Sequence, residues 1–217
     1  MDFIASLCYS HTLFTDAFVS SILKHMPVSV KIRFAEYRKQ EDANAYLMSA
    51  VLLRFCLSKA GIVGGLERLN HSKYGRPYLN GTFDFNLSHS GEVVVCIFSS
   101  NRRVGIDIER IRAVNVEEYR DVLVSRELLF ISQSESELES FFVIWTKKEA
   151  VMKADGRGIS HAFSILDVSN HQSVFVDSIR WNISELILLK DYRCHYAYNG
   201  SAAEFELIDL HAGQLNF

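Results

Sequence analysis

Two β-branched runs, VVVCIFS (93–99) and RVGIDIE (103–109), are separated by only a short turn around Asn101, which reads as a hairpin. A helical stretch precedes this pair, and the order recurs further along. EDANAYLMSAVLLRFCLSKAG (41–61) opens on acids, carries Leu47, Val51 and Phe55 at steps of four, and ends with Lys59 and a stop at Gly61. ESFFVIWTKKEAVMKA (139–154) is the clearest later helix. After it come FSILDVS, SVFVDS, ELILLKD, CHYAYNG and AEFELIDL, read as an antiparallel meander. A strand around 3–9 and a helix from Thr15 to Lys24 complete the first part. The pattern predicts an α+β protein of two similar halves, each a small antiparallel sheet packed on a long helix, divided into residues 1–102 and 103–217.

The 217 residues, 48% apolar and 23% charged, are enough for a substantial core, and only Pro27 and Pro77 occur, so no flexible linker separates the halves. A formal net charge of −3 lacks the basic field that phosphate-backbone binding requires, so no nucleic acid partner is expected. No apolar run reaches membrane-spanning length, and no membrane partner is expected. Cys8, Cys56, Cys96 and Cys194 are scattered and the N-terminus lacks a basic leader region, so a reducing, cytoplasmic setting is expected. The histidines other than His89 show no metal-ligand spacing. There is no GxxxxGK[ST] and no GxGxxG.

Three segments carry candidate chemistry. In VGIDIER, Asp107 and Glu109 share one strand face about 7 Å apart and can grip a divalent cation if a third oxygen joins them; Glu149 is the natural donor. A solvated acidic strand face is the other reading. In FDFNLSHSG, Asn86, Ser88, His89 and Ser90 can surround an anion or build a side-chain turn. In WTKKEAVMK, Trp145, Glu149 and Lys153 fall on one helix face, which fits either a surface Glu–Lys pair or a catalytic carboxylate with a cationic neighbour. Basic residues at Lys24, Lys31, Arg33, Arg38, Lys39, Lys73 and Arg76 suggest a local anionic ligand or a solvated helix face.

GRPYL…FNLSHSG, VGIDIER and WTKKEAVMK, in that order, resemble the signature of the 4′-phosphopantetheinyl transferases of the larger, pseudo-dimeric Sfp type. The resemblance implies two α/β halves enclosing a site at their interface, and transfer of the 4′-phosphopantetheine arm from coenzyme A to a serine of an apo acyl or peptidyl carrier protein. Adenosine 3′,5′-bisphosphate would be released. It implies Mg²⁺ on Asp107, Glu109 and Glu149, with Glu149 and Lys153 catalytic. Coenzyme A phosphates would meet Arg76, Ser88, His89, Lys148 and Lys153, with Lys31 and Arg33 toward the adenosine 3′-phosphate. A carrier contact is expected over 110–130, and the chain is expected to act as a monomer. A Mg²⁺-dependent coenzyme A pyrophosphate hydrolase and a non-catalytic coenzyme A-binding module are the competing functions.

Overall fold

The computed structural model describes residues 1–158, 161–170 and 172–212; His171, read above as an ordinary histidine, and the last five residues of the second half lie outside them. The first half contains β1 (Asp2–Cys8), α1 (Asp16–Lys24), α2 (Val28–Ala35), α3 (Gln40–Lys59), a two-stranded ribbon of β2 (Asn70–His71) and β3 (Pro77–Tyr78), then β4 (Asp84–Ser90) and β5 (Val93–Ser99). The second contains β6 (Val104–Arg110), a 3₁₀ segment (Val116–Val122), α4 (Ser125–Ser132), α5 (Glu137–Asp155), α6 (His161–Ile165), β7 (Ser173–Val176), β8 (Ile179–Glu185), β9 (Tyr192–Asn199) and β10 (Glu206–His211). One sheet has the order β10-β1-β5-β4 and the other β6-β9-β8-β7. Each therefore holds the same unit. A strand, a long helix and an antiparallel hairpin follow one another, with the hairpin's second strand beside the first strand of the unit.

Capping explains where the helices begin and end. Thr15 Oγ1 accepts from Phe18 N at 3.3 Å to start α1, and Ser136 Oγ accepts from Glu139 N at 3.4 Å to start α5. Gly156, at φ 78°, stops α5 in the left-handed region, where its N–H reaches Met152 O at 2.8 Å. Leu47, Met48, Leu52 and Cys56 of α3 are buried against Val94, Cys96 and Phe98 of β5.

The expected hairpin of residues 93–109 does not form. β5 pairs with β1 and β4, whereas β6 pairs with β9 in the other sheet. The reason lies in the composition of β5, whose seven residues are all buried. Val94, Cys96 and Phe98 face α3, while Val93, Val95 and Ile97 meet Ile106 and Ile108 of β6 in a third core between the sheets. A strand apolar on both faces is covered on both faces, so the two runs pack through side chains and not through a ladder.

The meander differs as well. FSILDVS is α6 and an irregular segment, and only Glu185 of ELILLKD lies in a strand. Ile187 is 84% exposed, which no strand of this sheet would tolerate on its inner face. Two longer strands are not read from the sequence: β4, where FNLSHS reads as a side-chain turn, and Ile179–Glu185, where Trp181 and Ile183 alternate inward among polar neighbours. AEFELIDL leaves the second sheet altogether: β10 runs parallel to β1, from Phe3 opposite Glu206 to Cys8 opposite His211. No helix of the described residues is long and apolar enough to cross a membrane.

Candidate functional site

β4 and β6 are edge strands of different sheets, and β4 supplies the hydrogen bonds that the free edge of β6 would otherwise lack. Every second side chain takes part. Asp84 Oδ2 accepts from Val104 N at 3.0 Å, Asn86 Oδ1 from Ile106 N at 3.0 Å, Ser88 Oγ from Ile108 N at 3.3 Å and Ser90 Oγ from Arg110 N at 3.0 Å. The polar period of two in DFNLSHS is thus a side-chain ladder joining the halves. It holds the outward face of β6 in register with β4.

That face carries Gly105, Asp107 and Glu109 toward α5. A Cβ at Gly105 would collide with Ala150 O and Ala154 N, so glycine lets the helix backbone lie directly on the strand. One residue pair further along, Lys153 Nζ donates to Asp107 Oδ1 at 2.6 Å and to Ser88 Oγ at 2.9 Å. Ser88 Oγ donates to the same Asp107 oxygen at 2.9 Å. Asp107 Oδ2 is buried and without a hydrogen-bond partner. Glu109 Oε2 accepts from Ser90 Oγ at 2.9 Å.

Electrostatics ties the three acids together. Burial, then the Asp107 charge, push the Glu149 carboxyl up to about 6, against the pull of Lys153; Glu109 adds to the rise. Burial and Asp107 likewise raise Glu109, opposed by the Ser90 hydrogen bond. His89, exposed at the rim on the side of β4 away from Ser88, is held below the usual imidazole range by partial desolvation and by Lys153.

The remaining expected site residues are placed elsewhere. Lys148 is fully buried on another face of α5, where its ammonium meets Glu127 Oε2 at 2.9 Å, Phe163 O at 2.8 Å and Leu166 O at 2.6 Å. It is not gathered with Lys153. Arg76 is likewise committed: its guanidinium donates to Asp84 Oδ2 at 2.7 Å, Val104 O at 2.8 Å and Phe85 O at 3.1 Å, and also to the carbonyls of Lys153 and Ala154 at the end of α5. It clamps the start of β6 to β4 and to the end of α5. Lys31 and Arg33 are exposed on α2, with Arg33 paired to Glu36 at 3.0 Å and lying over the Tyr37 ring. Trp145 is half-buried among Tyr119, Phe141 and Phe163, so it anchors its helix face in an aromatic cluster. Val116, Tyr119 and Val122, expected on a carrier contact, pack against the second core.

Asp84 and Gly105 were not singled out from the sequence. Both left a signal there, a polar side chain in phase with Asn86 and Ser88, and a glycine inside a strand.

Among the described residues no group of three or more His, Cys, Asp or Glu is disposed to hold a metal ion. In this arrangement the Lys153 ammonium supplies the positive charge beside Asp107. The chemistry of the donor set nonetheless fits a hard cation, because Glu149 feels the charges of Asp107 and Glu109, and Asp107 Oδ2 is buried with no proton donor.

Two repeated strand–helix–hairpin halves mark a pseudo-dimeric α+β protein. Residues 103–202 match the model of the 4′-phosphopantetheinyl transferase superfamily. The chain is 33% identical over 129 residues to the 4′-phosphopantetheinyl transferase gsp of Aneurinibacillus migulanus, covering 58% of this chain and 54% of that protein. It is 30% identical over 145 residues to Sfp of Bacillus subtilis (strain 168), covering 61% of each. With HetI of Nostoc sp. it shares 31% over 136 residues, 58% of this chain and 56% of that protein. The chain therefore spans between half and two thirds of the length of these curated relatives. Thermotoga maritima holo-[acyl-carrier-protein] synthase (AcpS) superposes with a TM-score of 0.35 at 16% identity, covering 46% of this chain and 63% of that one.

Proposed function

We propose that the chain transfers the 4′-phosphopantetheine arm of coenzyme A to a serine hydroxyl of an apo carrier protein, releasing adenosine 3′,5′-bisphosphate. The observation that carries this reading is the meeting of Asp107, Glu109, Glu149 and Lys153 where β6 and α5 face each other. The relatives named as 4′-phosphopantetheinyl transferases support it.

In this reading Asp107, Glu109 and Glu149 hold Mg²⁺, which when bound neutralises pyrophosphate charge. The Glu149 oxygen not turned to the cation would accept the proton of the attacking serine. Lys153, already between Asp107 and Ser88, balances charge on the departing phosphate. His89 meets a coenzyme A phosphate at the rim, and Lys31 and Arg33, exposed on α2, are the cations for the adenosine 3′-phosphate. Ser88 acts through Asp107 and Lys153. One chain supplies both sides of the site, so the working unit is a monomer. The four cysteines are free thiols, in keeping with a reducing cytoplasm.

Incubation with an apo carrier protein, coenzyme A and Mg²⁺, followed by intact-mass measurement, tests the reading. Addition of the phosphopantetheine arm to serine is the expected result. Hydrolysis of coenzyme A with several carriers left unmodified would instead make the chain a pyrophosphate hydrolase, and binding of coenzyme A with neither reaction would make it a binding module.

A further inference from the structure

Ser88 and Ser90 make the same pair of contacts two residues apart. Each hydroxyl oxygen accepts a backbone N–H of β6, from Ile108 to Ser88 and from Arg110 to Ser90. Each hydroxyl proton goes to the carboxylate of the residue just before that N–H, Asp107 Oδ1 for Ser88 and Glu109 Oε2 for Ser90, both at 2.9 Å. The repeat matches the pleat of the two strands. At the other two rungs the acceptors are Asp84 Oδ2, which also receives Arg76, and Asn86 Oδ1, oxygens with no proton to pass on, and the residues before those N–H groups are Arg103 and Gly105. Hydroxyls thus stand only at the rungs next to an acid. A ladder that served the backbone alone would need no such coincidence.

We propose that Ser90 is a positioning residue, its hydroxyl fixing one oxygen of Glu109 so that the other is aimed at the bound cation, as Ser88 does for Asp107. This rests on the reading of Glu109 as a metal ligand. Ser90 is the cleaner probe of the two, because Ser88 also receives Lys153. Outer partners of metal-binding carboxylates set their direction, and losing one weakens metal binding about 10–100-fold.

The test uses Mn²⁺ as the probe, with free ion followed by electron paramagnetic resonance and thermal melting recorded on the same full-length samples. Ser90→Ala is expected to weaken Mn²⁺ binding about tenfold or more, and Ser90→Thr, which keeps the hydroxyl on a strand that suits it, to bind as the wild type does. In a Glu109→Gln background, Ser90→Ala is expected to add nothing. Wild-type Mn²⁺ binding by Ser90→Ala would overturn the inference and leave the metal reading standing. Equal weakening in both backgrounds, or a Ser90→Ala chain with no native melting transition, would assign the hydroxyl to the backbone ladder and overturn it too. A wild-type chain that takes up no Mn²⁺ would remove the metal reading itself, and the inference with it.

Discussion

Lys153 Nζ lies 2.6 Å from Asp107 Oδ1 on β6, and among the described residues it makes no ion pair with Glu149 four positions earlier. Helical spacing alone favours the Glu149–Lys153 pair. What decides otherwise is Asp107, 5% exposed at its side chain and in need of a cation more than a half-buried Glu149 is.

Removing that cation leaves a buried carboxylate without compensation. Lys153→Met is expected to lower stability by about 1–3 kcal/mol, less than a fully buried pair would lose because the lysine side chain is 28% exposed. Urea unfolding measures it. An unchanged midpoint would mean that Asp107 finds another partner.

Lys148 should behave differently from a phosphate ligand. Its pair with Glu127 is 0% exposed on both sides, and Glu127 also accepts Val124 N and Val168 N at 3.0 Å, tying α4 to the segment after α6. Lys148→Met is expected to cost about 3–5 kcal/mol in urea unfolding. A stable Lys148→Met chain that has lost coenzyme A affinity would return this lysine to the phosphate site.

Gly105→Ala places a methyl group against backbone atoms of α5 that have no rotamer to yield. The expected loss is about 3 kcal/mol, at the upper end of overpacking costs, and it should appear as a lower urea midpoint. Wild-type stability would show that α5 can ride higher on β6 without penalty.

His195, opposite Asp107 in the β6–β9 register, is buried with Nδ1 2.8 Å from Thr146 Oγ1. Burial, with Lys147 and Arg193 nearby, pulls its imidazole from 6.5 down to about 3. The unfolded chain then binds a proton that the folded chain refuses, so this residue's contribution to stability is intact above pH 6.5 and declines as pH falls toward about 3. Denaturant midpoints measured from neutral pH down through this window should fall more steeply for the wild type than for His195→Gln. Parallel slopes would contradict the assignment.

Individual elements were legible where a local physical signal exists. α5 shows its N-cap at Ser136 and its stop at Gly156, and β5 and β6 show their β-branched content. Their partners were not legible, because a run apolar on both faces reads the same in a hairpin as between a helix and a second sheet. Alternation puts the two acids of β6 on one face, and helical spacing puts Glu149 in line with Lys153. Lys148, five residues before Lys153, falls by the same spacing on another face of α5, but what it meets there was not legible. Its direction is set by Glu127, 21 residues away in another helix, and by carbonyls of a segment that follows α5.

The most direct measurement compares wild-type and Glu149→Gln chains by intact mass of an apo carrier protein after reaction with coenzyme A and Mg²⁺, with melting curves on both. A modified carrier serine is expected with the wild type and none with Glu149→Gln, at closely similar melting temperatures, because Glu149 lies beside the polar groups Asp107 and Lys153. Full transfer by Glu149→Gln, or a variant whose fold is lost along with its activity, would contradict this expectation.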